Sequence, residues 1–144
     1  LLQEVVTSSM SDSGPLMPGN TVELMVDTEQ LNGTKFSLVS MMVNTNDGFS
    51  GLNAIDVSQL AVGDTLSFTT MAYDAGTEAN TEIAGTIPGP ADGGEGFNAE
   101  RNDSQVVTLH PGVVSQDDGL SQSVLKGYHK FDNPLMSISI TRMQ

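Results

Sequence analysis

Two short stretches concentrate the oxygen donors of this chain. One is Asn44-Thr45-Asn46-Asp47-Gly48-Phe49, and the other is Tyr73-Asp74-Ala75-Gly76-Thr77-Glu78-Ala79-Asn80. Each follows a run with strand character, Phe36 to Val43 before the first and Thr65 to Ala72 before the second. A strand that ends in a Gly-containing turn can hold carboxylate and amide oxygens at a sheet rim. Hard oxygen ligands converging from loops are what Ca2+ requires. If the two strands lie in one sandwich and run the same way, Asp47, Asp74 and Glu78 meet at one rim. Three carboxylates packed together without a cation repel, and at least one tends to keep its proton.

Plainer readings stand beside this one. Asp47 and Asp74 are each placed to brace a turn through an Asx-type hydrogen bond, and Glu78 is free to be solvent-exposed. Asp-x-x-x-Glu is a loose pattern, and the EF-hand run of alternating acids, Gly and a distant Glu is missing. Catalytic chemistry finds less support. No Gly-x-Ser-x-Gly elbow is present, and no His-x-x-x-His spacing offers a zinc site. His110, before Pro111-Gly112, and His129, in Gly127-Tyr128-His129-Lys130, read as loop residues that hydrogen-bond. The glycines near Gly94 do not sit between a strand and a helix, so they form no phosphate loop. A carboxylate pair could serve a glycosidase, but with no Trp and 5% aromatics the chain is poorly equipped to stack sugars.

The elements that must position the two acidic turns read as β. Thr21 to Asp27 alternates, with Val22, Leu24 and Val26 on one face, as a half-buried strand does. Lys35 to Val43 is more continuously apolar and reads as a central strand covered on both sides. In the second central strand Leu66, Phe68 and Thr70 alternate against Ser67, Thr69 and Met71. Gln105 to His110 is a further strand, and Met136 to Thr141 alternates cleanly and closes the sheet. Between them, Glu78 to Glu100 is too rich in Gly and Pro for a helix and reads as a long loop. Ile83, Ile87 and Phe97 are its expected apolar pins. Gly119 to Leu125 could form a helical turn. Leu1 to Ser9 fits either a strand or a helix end, and turns are expected at Ser11 to Pro15 and at Leu31 to Thr34. The sum is an all-β chain, an antiparallel β-sandwich with long rim loops.

Composition narrows the partners. The chain of 144 residues carries 18 Asp and Glu against 5 Lys and Arg, a net charge of -13. Nucleic acid is an unsuitable partner, because phosphate contacts need a basic face. Most of the acids read as a solvated surface. Without Cys there are no disulfides, thiolate metal sites or Cys nucleophiles. No apolar run is long enough for a membrane span. Leu1 is not an initiator residue, so the chain reads as a processed or partial piece.

The two acidic stretches resemble the spondin domain in its bacterial branch, of the type found at the N-terminus of F-spondin and mindin. Supporting pieces follow in the family's order: Gly14-Pro15-Leu16-Met17-Pro18-Gly19, Ile87-Pro88-Gly89-Pro90, Gly94-Glu95-Gly96-Phe97, His110-Pro111-Gly112 and Asn133 to Arg142. The resemblance covers Gly14 to the end. It implies a C2-like sandwich over residues 1–144, secreted to the cell surface and associated with matrix or adhesion, without enzymatic activity. It also implies one Ca2+ ion held by Asp47, Asp74 and Glu78. Glu78 stands where animal members often have Asp, which lengthens that ligand's reach. The resemblance also implies a further N-terminal β segment, cleaved off, lying outside this sequence or supplied by another chain. A sandwich without that segment exposes strand edges, so the alternative expectation is a subunit of an extracellular filament or coat. In that reading homo-oligomer contacts form by strand addition between subunits. A carboxylate-dependent hydrolase is the more distant third reading.

Overall fold

A computed structural model describes residues 14–27, 33, 35–100 and 103–144. The expectations for Leu1 to Ser13 and most of Leu31 to Thr34 lie outside these residues. The described chain is all-β, with antiparallel pairing throughout. Six strands run in chain order: β1 (Lys35–Met41), β2 (Gly48–Asp56), β3 (Thr65–Thr70), β4 (Tyr73–Asp74), β5 (Thr108–Leu109) and β6 (Met136–Thr141). They form a four-stranded sheet in the order β1-β2-β4-β5 and a two-stranded sheet of β3 and β6. The only helical pieces among the described residues are single 3-10 turns at Gln116–Asp118 and Gly127–His129.

Several sequence expectations change here. β1 is an outer strand of its sheet, not a central one, and its Val39 and Met41 are 72% and 58% exposed. A continuous apolar run does not reveal how many faces are covered. Thr21 to Asp27 forms no strand, and Val22, Leu24 and Val26 are exposed. Alternation supplies β character, but a strand exists only against a partner edge. Of Gln105 to His110, only Thr108 and Leu109 pair. The helical turn expected at Gly119 to Leu125 lies earlier, at Gln116–Asp118. β2 forms where the sequence suggests no strand, because Gly48 and Gly51 interrupt its apolar pattern.

The chain changes sheets at Met71 and Ala72. β3 ends at Thr70 in the two-stranded sheet, and β4 begins at Tyr73 in the other. Buried Ser50 fastens this crossing: its Oγ contacts Thr70 Oγ1 and donates to Met71 O, both at 2.7 Å. The best-buried apolar cluster is built by loops. Ile87, Val113 and Leu125 pack together, flanked by Ala91, Val124 and Phe131. Ile87 thus pins the long loop as expected. Phe97 and Ile83 do not, being 75% and 37% exposed.

Two predictions follow from this packing. A Cβ placed on Gly51 would lie 2.0 Å from Leu38 O across the β1–β2 ladder. Backbone cannot yield as a side-chain tip can, so Gly51→Ala should cost about 2–3 kcal/mol. Urea denaturation measures it, and an unchanged midpoint would contradict the register.

The second concerns Glu82, which is 5% exposed and accepts the Val114 N–H. Burial pushes its pKa above the ordinary carboxyl value; the Val114 hydrogen bond opposes this, and the Asp118 charge adds to the rise. The folded chain therefore holds this proton after the unfolded chain has released it. Stability falls as pH rises from the ordinary glutamate value through the raised one. Glu82→Gln keeps an acceptor for Val114 and removes the charge. The variant should lose that falling limb and be the more stable protein at neutral pH. Denaturation curves from mildly acid to neutral pH would contradict this if parent and variant ran parallel.

Candidate metal centre

The pairing of β2 with β4 creates the acidic rim. Gly48 lies opposite Asp74, and Phe49 opposite Tyr73. The two rings of that second pair sit 5.7 Å apart between centroids. Asp47 precedes the first residue of β2, and Asp74 ends β4, so an antiparallel ladder sets them side by side. β1 and β4 both pair antiparallel with β2, so the strands that lead into the two turns run the same way. β3, in the other sheet, reaches the second turn only by way of β4.

The first turn is built by its own side chains. Thr45 Oγ1 donates to Met42 O at 2.7 Å and accepts the Gly48 N–H at 3.1 Å. Asn44 takes a left-handed φ of 62°, which Asn tolerates better than most residues. Its Oδ1 accepts the Ala91 N–H at 2.9 Å, and Asn46 Nδ2 donates to Thr86 O at 2.9 Å. Both asparagines thus serve as anchors for the long loop.

Asp47 clamps the second turn. Its Oδ2 accepts from Thr77 N at 2.6 Å, Thr77 Oγ1 at 2.9 Å and Glu78 N at 2.9 Å. Its Oδ1 is buried with no hydrogen-bond partner. Asp74, 4% exposed, braces its own turn by accepting Gly76 N–H on Oδ1 at 2.7 Å, and it takes Asn80 Nδ2 on Oδ2. Gly76 has a φ of +70°, and a Cβ there would lie 2.5 Å from Val106 O. Glu78 is 2% exposed, not the solvated residue a loose turn would carry, and its Oε1 accepts the Asn98 N–H.

His110 borders this rim. Its N–H donates to Ala72 O at 3.0 Å, continuing the β4–β5 ladder. Its ring meets Phe131 edge-on, with centroids 5.1 Å apart. Burial lowers the imidazole pKa below its ordinary value, against the opposing pull of Asp74 and Asp47. The sequence offered no reason to join His110 to the acidic turns, because 36 positions separate it from Asp74.

The structure therefore brings Asp47, Asp74 and Glu78 to one rim but does not aim them at one point. Among the described residues, no group of three or more His, Cys, Asp or Glu side chains is arranged to hold a metal ion. An ionised carboxylate nevertheless offers about four lone-pair sites. Asp74 retains acceptor capacity beyond its bonds to Gly76 and Asn80, and Asp47 Oδ1 is uncommitted.

The Asp47 clamp carries its own expectation. Asp47→Ala leaves Thr77 and Glu78 without their acceptor and should destabilise the chain by about 1.5–3 kcal/mol, the range for hydrogen bonds to a charged group. Asp47→Asn keeps one acceptor oxygen and should cost less. Denaturation with amide exchange at Thr77 and Glu78 tests this; unchanged protection in the Ala variant would contradict it.

The chain matches no known family model, no curated protein and no solved structure.

Proposed function

We propose that this chain is a non-enzymatic, spondin-type β-sandwich module, C2-like in arrangement. In this reading it is secreted, binds one Ca2+ at its acidic rim and mediates adhesion or matrix contact. The observation that carries it is Asp47 Oδ1, a buried carboxylate oxygen without a hydrogen-bond donor in a turn held against two further buried acids. An unmatched buried acceptor is costly, and a hard cation is the partner an oxygen-lined rim would favour. Among the described residues no Lys or Arg pairs with Asp47 or Asp74. Asp47, Asp74 and Glu78 would supply the protein oxygens, directly or through a bound water, and backbone carbonyls or further water would complete a shell of roughly 6–8.

One observation favours the second reading, a homo-oligomeric subunit of an extracellular filament or coat. Met41, Phe49, Tyr73 and Leu109 lie opposite one another across four strands and therefore share a sheet face. Val39, Met41 and Leu109 are more than half exposed on these strands. An apolar face of this kind suits contact with another protein surface.

Ca2+ should raise the melting temperature, because an ion that binds only the folded chain stabilises it by mass action. Its affinity should be on the order of 10⁻⁴–10⁻³ M, as in extracellular modules. Asp74→Asn should weaken the response. A melting curve unmoved by several millimolar Ca2+ would end the calcium reading. Sedimentation that finds concentration-dependent growth independent of Ca2+ would favour the filament reading instead.

A further inference from the structure

His110 is 5% exposed, and its Nε2 is buried with no hydrogen-bond partner. The ring's orientation is fixed on its other side, where Nδ1 accepts the Gly112 N–H at 3.0 Å. A Cβ on Gly48 would lie 3.1 Å from His110 Cδ2. The Cδ2–Nε2 edge therefore faces the turn that carries Asp47. The carboxylates acting on the ring are Asp74 and Asp47.

This geometry decides what the ring can offer. A neutral imidazole has one donor and one acceptor nitrogen. Nδ1 is the acceptor, because it receives Gly112 N–H, so the proton sits on Nε2. Toward the rim His110 presents an N–H, not a lone pair. Asp47 Oδ1 is the opposite case, a buried acceptor without a donor. The two unpartnered atoms are not bonded to each other. A single oxygen that accepts from Nε2–H and donates to Oδ1 would match both, and water does this. Such a water keeps a second lone pair for a cation. Ca2+ sites commonly reach one carboxylate through water in this way.

We propose that His110 is the positioning and specificity-determining residue of the rim: its Nε2–H holds a water of the bound ion against Asp47 Oδ1. This rests on the reading of the rim as a Ca2+ site. Asp47 then serves the ion through that water, which agrees with three carboxylates that share a rim without converging. The rim offers oxygen only. It takes Ca2+ and does not take Zn2+ or Ni2+ through His110, because those ions bind imidazole through the lone pair that Nε2 lacks.

The test combines Ca2+ titration with nitrogen-detected NMR of the histidine rings. In the parent, the Nε2 proton of His110 should persist with and without Ca2+, and its resonance should shift on titration. His110→Phe keeps the ring packing on Phe131 and removes the donor; its Ca2+ affinity should fall about 10–100-fold, the usual effect of losing an outer hydrogen-bond partner of a metal site. His110→Gln, which restores a side-chain N–H, should recover most of that loss. Loss of the Nε2 proton on adding Zn2+, with a shift typical of direct ligation, would overturn the inference. So would a His110→Phe variant that binds Ca2+ as the parent does. Should the Phe variant not fold, the parent's ring spectra decide the matter alone. No Ca2+ response in the parent would overturn the ion-site reading and this inference with it, whereas a response that His110→Phe retains overturns this inference only.

Discussion

The arrangement depends on a ladder of two residue pairs, Gly48 with Asp74 and Phe49 with Tyr73. It is the seam through which β4 and β5 join the β1–β2 hairpin, and it places one acidic turn beside the other. So short a ladder is weak alone. It persists because neighbouring contacts point the same way. Ser50 fixes the crossing at Thr70 and Met71, the Phe49 and Tyr73 rings pack across the seam, and Asp47 clamps Thr77 and Glu78 beyond it.

The acidic character of the chain acquires a structural meaning from this pattern. A fold with almost no helix and short strands has many loop N–H groups that no ladder satisfies. Carboxylates accept several of them. Asp92 takes the amides of Gly85 and Ile87, Asp118 that of Ser115, Glu82 that of Val114, and Glu78 that of Asn98. The acids read as a solvated surface therefore include a set that pins loops. Charge-assisted hydrogen bonds are the stronger kind, which suits segments lacking regular structure. Asp47 and His110 stand apart within this scheme, since each leaves one buried polar atom unmatched.

The apolar residues are distributed unusually as well. The best-buried cluster, around Ile87, Val113 and Leu125, lies among loops, while one face of the four-stranded sheet leaves Val39, Met41 and Leu109 exposed. The same sheet thus carries a polar rim and an apolar face. Whatever meets that face lies close to the acidic turns, because Met41 and Phe49 flank the turn that holds Asp47.

The sequence by itself determined the β class, the two acidic turns, the irregular course of Glu78 to Glu100 and the role of Ile87 as its apolar pin. These follow from short-range physics: alternation, Gly and Pro punctuation, and the turn chemistry of Asp and Asn. It also located β6, whose alternation of Ile with Ser is unambiguous. Tertiary structure alone decided which edges pair. Pairing is a contest among long-range partners, and local pattern fixes which residues share a face but not which edges meet. For that reason Thr21 to Asp27 had the look of a strand and is none, whereas β2 lay unnoticed behind Gly51, needed where Leu38 O crosses. The same limit hid His110. Its place at the rim comes from the hydrogen bond to Ala72 that extends the β4–β5 ladder, a contact between segments far apart in the chain.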